Sequence, residues 1–304
     1  MKKIIYGILT LALLFSTKTG LAYQVPEDDS GAKYFYVFGP KGNPELGAEV
    51  SHQELYVDVP KSANGDVRIA IFDADTGGDR DLKPGVDNQW DTITEFSVYG
   101  RDDAQLGMQS FGMSKEYDAG YFEFGPYSKE QGVDVGDAYR FKIVAQAVSG
   151  DDENIYNIKI SPEQSEAFTY HLMIRLVEKE GAKMYFYPQV SAGTAKITMK
   201  NYDMDPDGGI SRLFNPQTGA MYKIKDSGSG KWADTEVMLN TDKAYRLEYV
   251  ITKKTQRHGN AGLTVVDDKG EHLPVYFSKN SRKLTAVPVM PEEQEAPADR
   301  KSVV

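Results

Sequence analysis

Two short acidic turns are where this chain could do chemistry. The first reads Asp73-Ala74-Asp75-Thr76-Gly77-Gly78-Asp79-Arg80-Asp81 and the second Asp203-Met204-Asp205-Pro206-Asp207-Gly208-Gly209. Carboxylates held this close repel one another unless something positive sits among them. In the first turn Asp73, Asp75, Asp79 and Asp81 fall at alternate or near-alternate positions. Gly77 and Gly78 free the backbone to turn those oxygens toward one another. Asp87 and Asp91 follow on the returning chain. The second turn offers Asp203, Asp205 and Asp207, with Asp234 returning. Calcium takes about six to eight oxygen ligands, and backbone carbonyls complete the number. These ten aspartates are therefore the candidate calcium ligands. A solvated polar turn is the alternative, since Asp and Gly are good turn formers.

Other metals and reactions find less support. The Asp-x-Asp-x-Asp opening of the second turn matches the first half of an EF-hand loop. Counted from Asp203, however, the position that needs a bidentate Glu holds Phe214, and no flanking helix is visible. His52, His171, His258 and His272 are scattered and lack a zinc spacing. There is no cysteine nucleophile, no G-x-S-x-G and no phosphate-binding glycine loop. A glycosidase needs two facing carboxylates, and nothing marks such a pair among the 45 acids. The chain reads as non-catalytic.

The turns must hang on strands, because the segments around them alternate apolar and polar residues at period two. The first series runs Tyr34–Phe38, Glu54–Val59, Val67–Phe72, Ile93–Tyr99, Tyr121–Phe124, Tyr139–Ala145 and Ile155–Ile160. The second runs Phe168–Val177, Met184–Val190, Ala195–Met199, Thr235–Leu239, Tyr245–Ile251 and Gly262–Val266, with Leu273–Phe277 as a last edge. Turn residues separate nearly all of them, Asn64-Gly65 and Lys269-Gly270 being hairpin signals. Ser161–Ala167 is the best short helix, or else a linker. The expected fold is all-β: two tandem antiparallel β-sandwich domains of jelly-roll-like form.

The two series look like copies. Each acidic turn follows a strand and precedes a Trp with an Asp-Thr pair, Trp90-Asp91-Thr92 and Trp232-Ala233-Asp234-Thr235. A Tyr-Arg strand start then follows in both, Tyr139-Arg140 and Tyr245-Arg246. Residues 23–162 and 163–282 are the expected domains. On this alignment residues 100–136 are an insertion in the first copy. The insertion is rich in Gly, Tyr, Phe and Met, and is either a binding surface, since long additions on a β scaffold often carry specificity, or a peripheral hairpin that covers an edge. Tyr121, Phe122 and Tyr127 are the candidate ligand contacts. The two tryptophans read best as core anchors.

Around Leu55-Tyr56-Val57-Asp58-Val59-Pro60, Val67–Phe72 and the first acidic turn, the chain resembles secreted bacterial β-sandwich modules of the pre-peptidase C-terminal type. The likeness spans some 50 residues of the first copy. It is fainter in the second, where Pro188 sits earlier and Asp-Pro-Asp replaces Asp-Thr-Gly. No protease domain accompanies it. The resemblance implies an accessory module that helps binding to a surface or substrate, sometimes with calcium.

Location and charge complete the expectation. Met1-Lys2-Lys3, an apolar run over Ile4–Phe15 and Gly20-Leu21-Ala22 form a secretory leader cleaved after Ala22. The protein is then secreted or periplasmic, with no transmembrane segment in the mature chain. The chain holds 35 basic and 45 acidic residues, and losing the leader's three lysines takes the net charge from −10 to about −13. Such a surface repels nucleic acid and favours divalent cations. Without cysteine, stability comes from packing, with or without metal, and not from disulfides. The tail, 283–304, is proline- and glutamate-rich and reads as disordered. An exported binding protein engaging a glycan or an extracellular protein follows. An extracellular polysaccharide hydrolase and a structural envelope or matrix component are the alternatives.

Overall fold

The structure, a computed structural model, describes residues 23–26, 34–44, 48–81, 85–86, 88–205, 209–239, 241–257 and 259–279. The leader and tail expected at the two ends lie outside the described residues. The first half holds β1 (Tyr23–Val25), β2 (Tyr34–Phe38), β3 (His52–Pro60), β4 (Val67–Phe72), β5 (Thr94–Tyr99), β6 (Gln105–Phe111), β7 (Tyr121–Tyr127), β8 (Val133–Asp134), β9 (Ala138–Ala147) and β10 (Glu153–Ser161). The second holds β11 (Glu166–Thr169), β12 (His171–Leu176), β13 (Lys183–Val190), β14 (Lys196–Tyr202), β15 (Ile210–Phe214), β16 (Met221–Lys223), β17 (Trp232–Met238), β18 (Tyr245–Arg246), β19 (Glu248–Thr252), β20 (Gly259–Asp267) and β21 (Val275–Tyr276). The protein is an all-β antiparallel sandwich, as the alternation predicts. The Ser161–Ala167 stretch is no helix. It is a tight turn between β10 and β11, closed by Ser165, which donates from both N–H and Oγ to the Pro162 carbonyl.

One sheet runs β17-β14-β20-β12-β2-β10-β4-β7. The other runs β16-β15-β19-β13-β21-β11-β3-β9-β5-β6. The core lies between them because alternate residues face inward. Val67, Ile69 and Ile71 of β4, Leu55, Val57 and Val59 of β3, and Phe141, Ile143 and Ala145 of β9 are all buried. A single apolar cluster continues from Phe35 and Val67 through Phe186 and Val265 to Phe277. Each large side chain fully buried in it contributes roughly 1.5–3 kcal/mol, so the fold needs no disulfide.

The strand order reveals how the halves relate. Read from the middle outward, β12-β20-β14-β17 mirrors β2-β10-β4-β7, and β13-β19-β15-β16 mirrors β3-β9-β5-β6. Both sheets cross the junction as hydrogen-bonded ladders. β12 pairs β2 with Ile174 opposite Phe35, and β11 pairs β3 with Phe168 opposite Tyr56. The Glu153 carboxylate locks the first crossing. It accepts from Arg175 Nη2 at 2.6 Å and from Asn260 Nδ2 at 3.2 Å, with all three residues buried. The twin Tyr-Arg starts lock the second. Arg140 forks onto Asp58 at 2.7 and 2.8 Å and covers the Phe168 ring, while Arg246 meets Glu166 at 2.7 Å and covers the Tyr276 ring.

The same order corrects the sequence alignment. β6 and β7 have counterparts in β16 and β17, so residues 100–136 are not a wholesale insertion. Trp90 precedes β5, whereas Trp232 opens β17, so the two tryptophans are not equivalent. Much of the extra length lies instead between β4 and β5, over residues 73–93, where the second half uses only 203–209. The Trp and Asp-Thr signals matched by coincidence of type, because a short linear pattern cannot report which strands lie side by side.

Candidate metal centre

Asp73 is the first residue after β4 and adopts φ of 57°, in the left-handed region that Asp tolerates better than most residues. That turn sends the chain back over the end of the sandwich. Its N–H donates to the Gly120 carbonyl at 3.4 Å, so the turn meets the loop joining β6 to β7. The same loop is held by Thr76, which donates to Gly112, and accepts from Ser114. The Tyr117 N–H donates to Asp75 Oδ2 at 3.1 Å.

This contact places three carboxylates together. Oxygens of Asp73, Asp75 and Asp118 all lie within 4.8 Å of one another. Asp73 and Asp75 are each 1% exposed. Both oxygens of Asp73, Oδ1 of Asp75 and Oδ1 of Asp118 are buried without a hydrogen-bond partner. Burial, followed by the charges of Asp118 and Asp75, pushes the Asp73 carboxyl up to about 8, against the opposing pull of Arg80 and Arg175. Buried polar groups are ordinarily paired, and an orphaned anion is costly. The donor set is all oxygen and anionic, which suits a hard divalent cation.

The remaining candidates of the first turn have other employment. Asp81 is buried, and its two oxygens accept N–H bonds from Gly77 at 2.7 Å and Ile155 at 3.0 Å. It ties the turn to β10 and is not one of the three grouped carboxylates. Asp79 is exposed and pairs with Lys115 at 3.1 Å. Asp87 lies outside the described residues. Asp91 joins a different group, with Asp151 and Asp152. There three of the oxygens already accept N–H groups: both of Asp152, from Asp91 and Thr92 at 3.2 and 2.9 Å, and Oδ2 of Asp151, from Val86 at 2.9 Å.

The second turn is built differently. Asp203 has the same left-handed backbone, with φ of 55°. Its Oδ1 accepts the Gly230 N–H at 2.8 Å, so the β16–β17 turn brings a donor where the β6–β7 loop brings Asp118. Asp205 is half-buried and belongs to no carboxylate cluster among the described residues. Asp207 lies outside them. Asp234 sits exposed on β17, opposite Lys200 and 4.0 Å from it.

Asp118 was invisible to the reading of the turns, since it lies well along the chain from Asp73 and Asp75. The available signal was the Asp118-Ala119-Gly120 turn, a third acidic, glycine-ended turn that only the fold brings alongside. The close fit shows at Gly78, where any side chain would strike the Asp118 carboxylate. Trp90 packs on Gly77, as an anchor for the turn. Trp232 rests on Tyr202 and donates from Nε1 to Glu49 at 2.7 Å.

A cavity of about 340 Å³ opens beside the carboxylates. Asp75 forms part of its lining, with Phe111, Tyr117 and Phe122 as aromatic walls. Of the three expected ligand contacts, Phe122 is there. Tyr121 packs on Phe72 with Lys159 over its ring, and Tyr127 stacks against Phe141, so these two lie outside the lining.

No known family and no curated protein matches the sequence. Among solved structures, the chain is similar to a "putative secreted protein" from Parabacteroides distasonis ATCC 8503, at 10% identity and a TM-score of 0.19, covering 85% of this chain and 92% of that one. It is also similar to vicilin from Corylus avellana (hazelnut), at 8% identity and a TM-score of 0.17, covering 82% and 84%. At these scores neither likeness bears on fold or function. Among the described residues no helix is long and apolar enough to cross a membrane.

Proposed function

We propose that this chain is an exported, non-catalytic binding protein whose first acidic turn is braced by a single calcium ion. One observation carries the calcium reading: the Asp73 carboxylate is 1% exposed, has no partner for either oxygen, and faces two further carboxylates. Asp73, Asp75 and Asp118 would hold the ion. Water would be excluded on the buried side, and backbone carbonyls or solvent would fill the remaining positions.

Calcium suits this set better than zinc, which favours nitrogen and sulfur. The ion would neutralise mutual repulsion and so join the β4–β5 turn to the β6–β7 loop, making stability depend on metal. Export follows from the leader, and extracellular calcium is abundant enough to fill a site of modest affinity. Titrating calcium into chelator-treated protein by calorimetry tests the reading. Binding with one ion per chain, lost in Asp73→Asn, supports it. No heat and no change in melting temperature on adding calcium would remove it.

A further inference from the structure

The β6–β7 loop faces two ways. Toward the acidic turn it presents Asp118 and the main-chain bonds already described. Toward the cavity it presents Met113, Ser114, Glu116 and Tyr117. The rest of the lining is Gln109, Ser110 and Phe111 of β6 and Phe122 of β7. The cavity therefore exists only while the loop stays docked. Its docking is opposed by the one carboxylate the loop brings to two others. Whatever neutralises Asp73, Asp75 and Asp118 also holds the cavity in shape.

The lining defines the kind of guest. Phe111, Tyr117 and Phe122 stand mutually edge to face, with centroids 5.5, 5.1 and 6.1 Å apart, a rigid apolar wall. Around it stand an amide, two hydroxyls and the Glu116 carboxylate, groups that bond to hydroxyls. Among the described residues no Lys or Arg lines the cavity, and two acids do, which disfavours phosphates and other anions. The volume is at the lower end of the ~300–1,000 Å³ usual for small-molecule sites. Apolar ring faces edged by hydroxyls match this pattern.

We infer that the cavity is a binding site for a neutral saccharide, one or two rings in size, and that it is formed only when calcium occupies the adjoining carboxylates. The inference rests on the calcium reading above and adds a ligand and a linkage to it. By reciprocity the saccharide tightens calcium to the same degree that calcium tightens the saccharide.

The test uses the mature chain, saturation-transfer NMR with D-glucose, D-galactose, D-mannose, N-acetyl-D-glucosamine and their disaccharides, and melting curves on the same samples. In calcium, saturable binding to at least one sugar is expected. In EDTA it should weaken by tenfold or more, within the usual ~5–150-fold range of such couplings. Tyr117→Ala should lose the sugar yet keep the calcium-induced rise in melting temperature, because its main-chain N–H still reaches Asp75. Gln109→Ala, at an exposed residue of the lining, removes the amide without touching the core and should weaken the sugar alone. Equal binding in calcium and EDTA would overturn the linkage. No sugar bound in calcium, with the melting rise intact, would overturn the saccharide site and leave the calcium reading standing. Absence of the melting rise would remove both.

Discussion

Asp73 and Asp203 occupy the same place in the two halves, each the first residue after its strand and each in the left-handed region, at φ of 57° and 55°. They solve the same problem differently. Asp203 receives an N–H from Gly230, while both Asp73 oxygens lack a hydrogen-bond partner and face Asp75 and Asp118. The two halves thus carry one turn whose first Asp is hydrogen-bonded and one in which carboxylate faces carboxylate.

That difference predicts an asymmetric response to mutation. Asp203→Ala leaves the Gly230 N–H without its acceptor and should cost about 1–3 kcal/mol. Calcium stoichiometry should stay at one. Asp73→Asn should abolish calcium binding and, in EDTA near neutral pH, stabilise the fold by ~2 kcal/mol, since folding no longer has to protonate a buried carboxyl and the buried amide offsets only part of that gain. Calorimetric titration and urea unfolding of both variants check this.

The raised Asp73 carboxyl predicts the pH dependence of the metal-free protein. The folded value, about 8, lies above the ordinary ~3.9 of an unfolded Asp. Between these values the folded state binds a proton that the unfolded state does not. Stability is therefore greater at low pH and is lost as pH rises through about 8. Calcium must displace that proton, so the calcium-induced rise in melting temperature should grow from pH 6 to pH 9. Melting curves in EDTA and in calcium across this range measure both effects. A metal-free melting temperature that rises with pH over the same interval would contradict the assignment, once Asp73→Asn is used to subtract other groups.

The junction makes a separate prediction. Glu153 and Arg175 are buried and paired at 2.6 Å across the β2 strand. Removing one partner strands the other, so Arg175→Met alone should cost about 3–5 kcal/mol. Adding Glu153→Gln should recover a large part, because the orphaned charge disappears. Urea denaturation of the two single variants and the double variant gives the coupling energy. Additive losses would show that the pair does not act as a unit.

How much of this was legible in the sequence follows from what each signal depends on. The alternation in Val67–Phe72 and Tyr139–Ala145 reports a local periodicity, so the strands and the sandwich could be read directly. Asp73 and Asp75 were legible for the same reason, being neighbours in a turn. Asp118 was not, because its proximity is made by the pairing of β4 with β7, which no linear spacing encodes. Asp79 and Asp81 illustrate the converse: identical residue types in the same turn go to Lys115 and to backbone N–H groups. The Trp and Asp-Thr repeat misled because it matched letters while the ladder order set a different equivalence. The Tyr-Arg repeat held its meaning, since Arg140 and Arg246 serve the same junction from opposite sides.

The most direct measurement is calcium binding by the wild-type chain beside Asp118→Asn, at the carboxylate that the β6–β7 loop brings to Asp73 and Asp75. One ion per wild-type chain, a higher melting temperature in calcium than in EDTA, and loss of most of that affinity in Asp118→Asn are expected. Unchanged melting in calcium and EDTA, or an Asp118→Asn variant that binds calcium as tightly as wild type, would contradict the calcium reading.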